Sequence, residues 1–276
     1  MKHDSDQPLP VDDMQMVAID VDGTLLRSDG KISAATTAAI RDAVKAGKKV
    51  VLATARPPRG VQAICKHLGL TGPHVLHNGA VIYDVLAGQA HLHIPLPGAL
   101  ARQVIAVARR HDPQVSIGVE VIDRFYTDRM DTQLGAEPSL DLSNADSSHL
   151  EQVLGGEVTK VMMLGDAGRL GAIQDELATR GKGRLGFAFS HMRLLQVVHH
   201  VASKAEALDR LAKAWGIPPG AVMAIGDAPN DVPMLRWAGL GVAVVNAWDS
   251  VKAAARLVVP GQDEDGVAHA IRQHLL

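Results

Sequence analysis

Short apolar runs, each ending in a polar residue, recur at both ends of this chain and are separated by helical patterns. Met16–Asp20 is the first, a buried-strand pattern that stops on an acidic side chain. A helix is expected from Ser33, its N-cap, to Gly47, followed by a strand over Lys48–Thr54. Pro57 and Pro58 open a second helix that stops near Gly69. His74–Leu76 begins a third apolar run, which breaks at Asn78-Gly79. The rhythm returns after Ser203, which forms a capping box with Glu206 and starts a helix to about Trp215. Strands Ala221–Asp227 and Gly239–Val245 follow, with Met234 and Leu235 in a short helix between them. This alternation predicts an α/β fold, a Rossmann-like, doubly wound parallel sheet.

The middle of the chain reads differently. Residues 85–198 carry alternating strand patterns interleaved with helical ones near Gly98–His111 and Gly168–Arg180. Such a mixture predicts an inserted α+β cap domain. The expected organisation is a flexible leader over 1–15, a core from 16–84 and 199–276, and a cap over 85–198. Linkers are expected near Asp84–Gly88 and Val198–Ala202.

Composition narrows the class of protein. Hydrophobic residues make up 47% and charged residues 21%, a globular balance. A net charge of -2 gives no electrostatic footing for nucleic acid or an anionic membrane. No apolar run approaches the roughly 20 residues of a membrane span, and the polar start of the chain does not read as an export signal. Cys65, the single cysteine, excludes an intrachain disulfide, and together these features predict a cytoplasmic protein. Cys65 lies in a helical apolar pattern with Val61, Ile64 and Leu68 and reads as a buried structural thiol. The pairs His91/His93 and His199/His200 match no common zinc spacing, and Trp237 and Trp248 read as packing residues.

Polar residues at the ends of the core elements form the candidate site. Asp20 and Asp22 follow the first strand, Thr54 ends the second, and Asp227, Asn230 and Asp231 follow a later one. In open α/β sheets ligands bind outside the carboxyl ends of the strands. Lys204 stands at a helix start, where backbone N–H groups favour anions. Gathered carboxylates repel one another unless a cation neutralises them, and oxygen ligands of this kind suit Mg²⁺. A carboxylate beside such an ion can attack phosphorus, while a second protonates the leaving oxygen and then activates water. Asp20 and Asp22 supply that pair, and Gly23 permits the tight path after them. Taken singly, each motif has a plainer reading: Asp22-Gly23 as a turn, Asn230 and Asp231 as helix caps, and Lys204 as a solvated helix residue.

Taken together and in order, the motifs resemble those of the haloacid dehalogenase-like hydrolases. Asp20-Val21-Asp22-Gly23-Thr24-Leu25 is similar to the first motif of that family, Thr54 to the second, Lys204 to the third, and Gly226-Asp227-Ala228-Pro229-Asn230-Asp231 to the fourth. The large insertion and Asn78-Gly79-Ala80 resemble the Cof-type subfamily. The resemblance implies a phosphatase of small phosphorylated metabolites that works through an aspartyl-phosphate. It makes Asp20 the nucleophile and a metal ligand. Asp22 becomes the general acid/base and a ligand through its carbonyl, and Asp227 a further ligand. Thr54, Ala55, Lys204 and Asn230 would hold the phosphate, with Asp231, Gly23 and Arg56 in support. Ala55 and Ala205 stand where the family often has glycine. A phosphomutase of similar fold and a non-enzymatic phosphometabolite binder remain as alternatives.

Overall fold

The structure is a computed structural model that describes residues 14–130, 132–135 and 140–276. The expected leader therefore lies outside the described residues except at its end. There Met14 is buried, and Gln15 is already tied into the sheet, its N–H donated to the Ala221 carbonyl at 2.9 Å and its carbonyl accepting from Lys49 N–H at 2.8 Å. Residues 14 and 15 thus belong to the fold, because the ladder begins one residue before the apolar run does. Two compact units are formed, one from Met1–Val51 and Asp209–Leu276, the other from Leu52–Leu208.

The first unit is built on a five-stranded sheet in the spatial order Leu257–Val259, Leu240–Val244, Val222–Gly226, Met16–Ile19, Lys49–Leu52. The pairings among its first four strands are parallel. Met16–Ile19 and Val222–Gly226 are buried throughout, which is why they read as continuous apolar runs with no alternation. Their register sets Ile19 opposite Ile225, so Asp20 and Asp227 leave the sheet at the same edge. Ser33 caps the helix Ala34–Lys45 by accepting the Thr36 N–H at 3.0 Å, and that helix packs against Gly266–His274.

The second unit contains an antiparallel five-stranded sheet ordered Leu185–His191, Leu194–His199, Lys160–Leu164, Ser116–Val121, Arg124–Tyr126. Ile117, Val119, Val161, Met163, Leu195 and Val197 face one way into a core with the helices Gly98–His111 and Ala167–Gly181. Alternate residues Met162, Leu164 and Leu194 join Phe125 and Leu134 in a second, smaller cluster. This period of two is the pattern that the sequence carries in this region.

Two expectations need correction here. The run His74–Leu76 forms no extended ladder with the neighbouring core segment among the described residues, where the strand pairing is the single parallel bridge Ala53–Val75. Otherwise Pro73–Leu76 pairs antiparallel with Val81–Asp84, which pairs in turn with Gln89–His93. Asp84–Gly88, expected as a linker, is a hairpin turn: the Asp84 carboxylate accepts the Leu86 and Ala87 N–H groups, and Gly88 takes φ +68°. A side chain that satisfies two turn amides closes a hairpin locally, whatever the pattern change around it. No helix among the described residues is long and apolar enough to cross a membrane.

Candidate active site

In the first unit the acidic residues converge. One carboxylate oxygen from each of Asp20, Asp227 and Asp231 lies within 4.8 Å of the others. Asp20 is 5% exposed and continues the ladder through its N–H to the Ile225 carbonyl at 2.9 Å. The chain then turns sharply: Asp22 is extended, Gly23 takes φ +82°, and the Leu25 N–H returns to the Asp20 carbonyl at 3.2 Å. A Cβ on Gly23 would overlap the Asp227 carboxylate, so glycine is required here for both its conformation and its lack of bulk. The Asp22 side chain is exposed and is not one of the clustered carboxylates.

Asp227 and Asp231 hold each other's geometry. One Asp231 oxygen accepts the N–H groups of Asp227 and Ala228, both at 3.0 Å. This is a turn-forming role, and it fixes the loop that carries Asp227 and the half-buried Asn230. Thr24 donates its hydroxyl to the other side of the cluster, at Asp227 Oδ1, and Asn246 donates its amide to the Gly23 carbonyl at 2.8 Å. Neither Thr24 nor Asn246 was singled out as a supporting residue from sequence. Thr24 lies within the first motif, whereas nothing local marks Asn246. Three carboxylates this close, with no basic side chain in the trio, form a donor set that fits a hard divalent cation.

The second unit holds the remaining motif residues. Thr54 is fully buried, its N–H bonded to the Val75 carbonyl and its carbonyl accepting from Asn78 N–H at 3.0 Å. The turn His77–Gly79 also reaches the start of the next motif. Gly79, at φ +93°, lies so close to Ser203 and Lys204 that a Cβ there would overlap the Ser203 carbonyl. The turn thus bonds Thr54 and lies close against the backbone at the start of the Lys204 helix, and that closeness accounts for the glycine in Asn78-Gly79-Ala80. Ser203 caps the helix Lys204–Ala214 through the Glu206 N–H at 3.1 Å. Arg56 folds back onto the Gly60 carbonyl at 3.1 Å, and Ala55 is half-buried.

A buried polar network adjoins this turn, and sequence reasoning missed it. Arg59 grips Glu120 through two hydrogen bonds of 2.8 and 3.1 Å, and Lys160 Nζ donates to the Ala55 carbonyl and to Gln196 Oε1. Burial raises the Glu120 pKa, against the pull of Arg59 and Lys160. Burial also lowers Lys160 to about 8, with Glu120 opposing. His77 donates Nε2–H to the Ile122 carbonyl at 2.6 Å and stays neutral because its burial is complete. The available signal was a lone lysine and a lone glutamate inside otherwise apolar strands, positions where a charge requires a partner.

The discounted residues sort as follows. Cys65 is buried, and desolvation pushes its thiol to about 12. Trp237 is half-buried and donates to Asp209 at 3.2 Å. Trp248 is 47% exposed, contrary to its reading as a packing residue: it sits at the helix start before Asp249, with its backbone N–H held by the Asp227 carbonyl. His93 bonds Thr159, and the rings of His199 and His200 lie with centroids 4.5 Å apart, tilted by 35°.

Comparison with known proteins agrees with this arrangement. The profile of the haloacid dehalogenase-like hydrolases matches residues 17–271. The chain is 29% identical over 268 residues to the 5-amino-6-(5-phospho-D-ribitylamino)uracil phosphatase YitU of Bacillus subtilis, covering 94% of this chain and 97% of that one. It is 31% identical to the phosphatase YwpJ of the same organism, covering 95% and 100%. The crystal structure of a haloacid dehalogenase-like hydrolase from Bacteroides thetaiotaomicron superposes with a TM-score of 0.84 at 29% identity, over 94% and 99% of the two chains. With a parallel sheet that gathers three aspartates at one edge, and a family match over most of its length, this chain belongs to the haloacid dehalogenase-like hydrolases and is one of their phosphatases.

Proposed function

We propose that the protein is a Mg²⁺-dependent phosphatase of small phosphorylated metabolites, sugar phosphates or phosphorylated cofactors and their precursors, acting through an aspartyl-phosphate on Asp20. The observation that carries this reading is the convergence of the Asp20, Asp227 and Asp231 carboxylates at one sheet edge, with Gly23 closing the loop beside them. Asp20, Asp227 and the Asp22 carbonyl would hold the metal, whose charge offsets that of the phosphate and the carboxylates.

The Asp20 carboxylate attacks phosphorus, and the bond from phosphorus to the leaving oxygen breaks. Asp22 gives that oxygen a proton, then takes one from water as the water attacks the aspartyl-phosphate, releasing phosphate and restoring Asp20. Thr54, the Ala55 backbone, Lys204 and Asn230 hold the phosphoryl oxygens, and Asp231 keeps the Asp227 loop in shape. We take the inserted segment, expected over 85–198 but starting beyond the Asp84–Gly88 hairpin, as the substrate-selecting cap. We also place the enzyme in the cytoplasm, a setting that suits its single buried thiol.

The choice of substrate class follows relatives named for such activities, including the phosphatase YitU and the HMP-PP phosphatase of Serratia proteamaculans. The test is hydrolysis of p-nitrophenyl phosphate and of a panel of phosphorylated metabolites, with Mg²⁺ and after exhaustive chelation. Release of phosphate that survives chelation unchanged overturns the metal-dependent reading.

A further inference from the structure

The Thr54–Arg56 turn has all three of its carbonyls held, and one of the holders is a charged side chain 105 residues away. The Thr54 carbonyl accepts from Asn78 N–H at 3.0 Å and the Arg56 carbonyl from His77 N–H at 3.2 Å. The Ala55 carbonyl accepts from Lys160 Nζ at 2.8 Å. Lys160 is 2% exposed, and its second bond, 2.9 Å to Gln196 Oε1, fixes the ammonium from the other side.

The Ala55 carbonyl shares a planar peptide with the Arg56 N–H, and the two point in opposite directions. Holding the carbonyl therefore aims the N–H, which donates to Thr54 Oγ1 at 3.2 Å. A hydroxyl has one proton and two lone pairs. Once a lone pair accepts Arg56 N–H, the hydroxyl proton is kept out of that direction and is left to donate elsewhere. A cation on the carbonyl polarises the peptide and strengthens the hydrogen bond donated by the N–H at its other end.

We propose that Lys160 is a positioning residue: through the Ala55–Arg56 peptide it sets the Thr54 hydroxyl as a hydrogen-bond donor to the substrate's phosphate. This rests on the reading of Thr54 as phosphate-binding given above. Lys160 itself need not touch substrate. A buried ammonium is costly to desolvate. An apolar side chain on this strand, like its neighbour Val161, would fill the space without that cost, so the charge has a use that packing does not explain.

The test compares Lys160→Met with Val161→Ala, a packing variant of the same strand, and with Lys160→Arg, which keeps a cationic donor. One readout is the amide resonance of Arg56 in the metal-free protein, which needs no substrate. The other is KM for p-nitrophenyl phosphate and the inhibition constant of inorganic phosphate. Lys160→Met should move the Arg56 amide and raise both constants about tenfold or more, the scale of one charge-assisted hydrogen bond. Lys160→Arg should recover part of that change, and Val161→Ala should lower Tm without moving the amide or either constant. If Lys160→Met fails to fold, Lys160→Gln takes its place with the same readouts. A folded Lys160 variant that loses Tm but leaves the Arg56 amide and the phosphate constant unchanged overturns the proposal. If the wild-type protein hydrolyses no phosphate ester, the function above is wrong, and the amide still decides whether Lys160 orients the turn.

Discussion

Thr24 and Asp227 stand 203 residues apart in the chain, and the threonine hydroxyl donates to Asp227 Oδ1 at 2.8 Å. One carboxylate oxygen is thus held by a hydroxyl, and the Gly23 backbone lies so close to the carboxylate that a Cβ there would overlap it. Thr24→Val keeps the shape and removes the donor. It should weaken metal affinity about 10-fold to 100-fold, the usual effect of losing a partner that orients a ligand. Gly23→Ala should be worse, because the backbone sits at φ +82° and the new methyl overlaps Asp227. Isothermal titration with Mg²⁺ measures both, and unchanged affinity in Gly23→Ala would show that Asp227 is not a ligand.

Asp20→Asn should abolish turnover while the protein folds normally. The amide has nearly the same shape but is a far poorer nucleophile, so kcat should fall by at least about four orders of magnitude. Without metal the variant should be slightly more stable than the parent, since one of three mutually repelling carboxylates is gone. Rapid-quench detection of a phosphorylated enzyme in the parent and its absence in the variant would establish the nucleophile. Near-parental kcat would exclude Asp20.

Glu120→Ala should destabilise the second unit by about 1–3 kcal/mol, because Arg59, 10% exposed, loses its two-pronged partner and keeps only the Asp141 carbonyl at 2.8 Å and the more distant Asp123 carboxylate at 3.4 Å. Glu120→Gln retains an acceptor and should cost less. Urea unfolding with equal m-values is the appropriate measure. A Glu120→Ala variant as stable as the parent would show that Asp123 and Asp141 suffice to hold Arg59.

Acid should destabilise the protein earlier than carboxylate titration alone would. His74 accepts the Leu52 N–H on Nδ1 at 3.2 Å, and burial lowers its pKa to about 4. Between pH 6.5 and about 4 the unfolded chain binds a proton that the folded chain refuses, so stability is full above that window and falls as pH falls through it. The share of His74 is about 3 kcal/mol across the window. His77, shifted the same way, steepens the slope. His74→Gln should flatten the pH dependence by about one proton. A slope identical to the parent's would mean that His74 titrates normally when folded.

Much of this protein follows from its sequence because the signals are local. Ser33 caps its helix through the Thr36 N–H three residues on, and Gly69 ends another in the left-handed conformation that glycine adopts freely. The strand Met16–Ile19 is buried on both faces and so is apolar throughout, and the polar residues that follow it and Val222–Gly226 fall at the same edge once those strands lie parallel. The motif order carried the family and the acidic cluster with it. The Asp84–Gly88 turn was misread because a change of strand pattern marks a new sheet but not where one domain stops. Partnerships across long stretches of chain were decided by tertiary structure alone. A strand pattern tells which residues face inward. It does not tell that Lys160 meets the Ala55 carbonyl, that Arg59 meets Glu120, or that Gly79 lies against Ser203. Those contacts depend on register and on the packing of elements remote in sequence, and a buried charge finds its partner only when the fold closes around both.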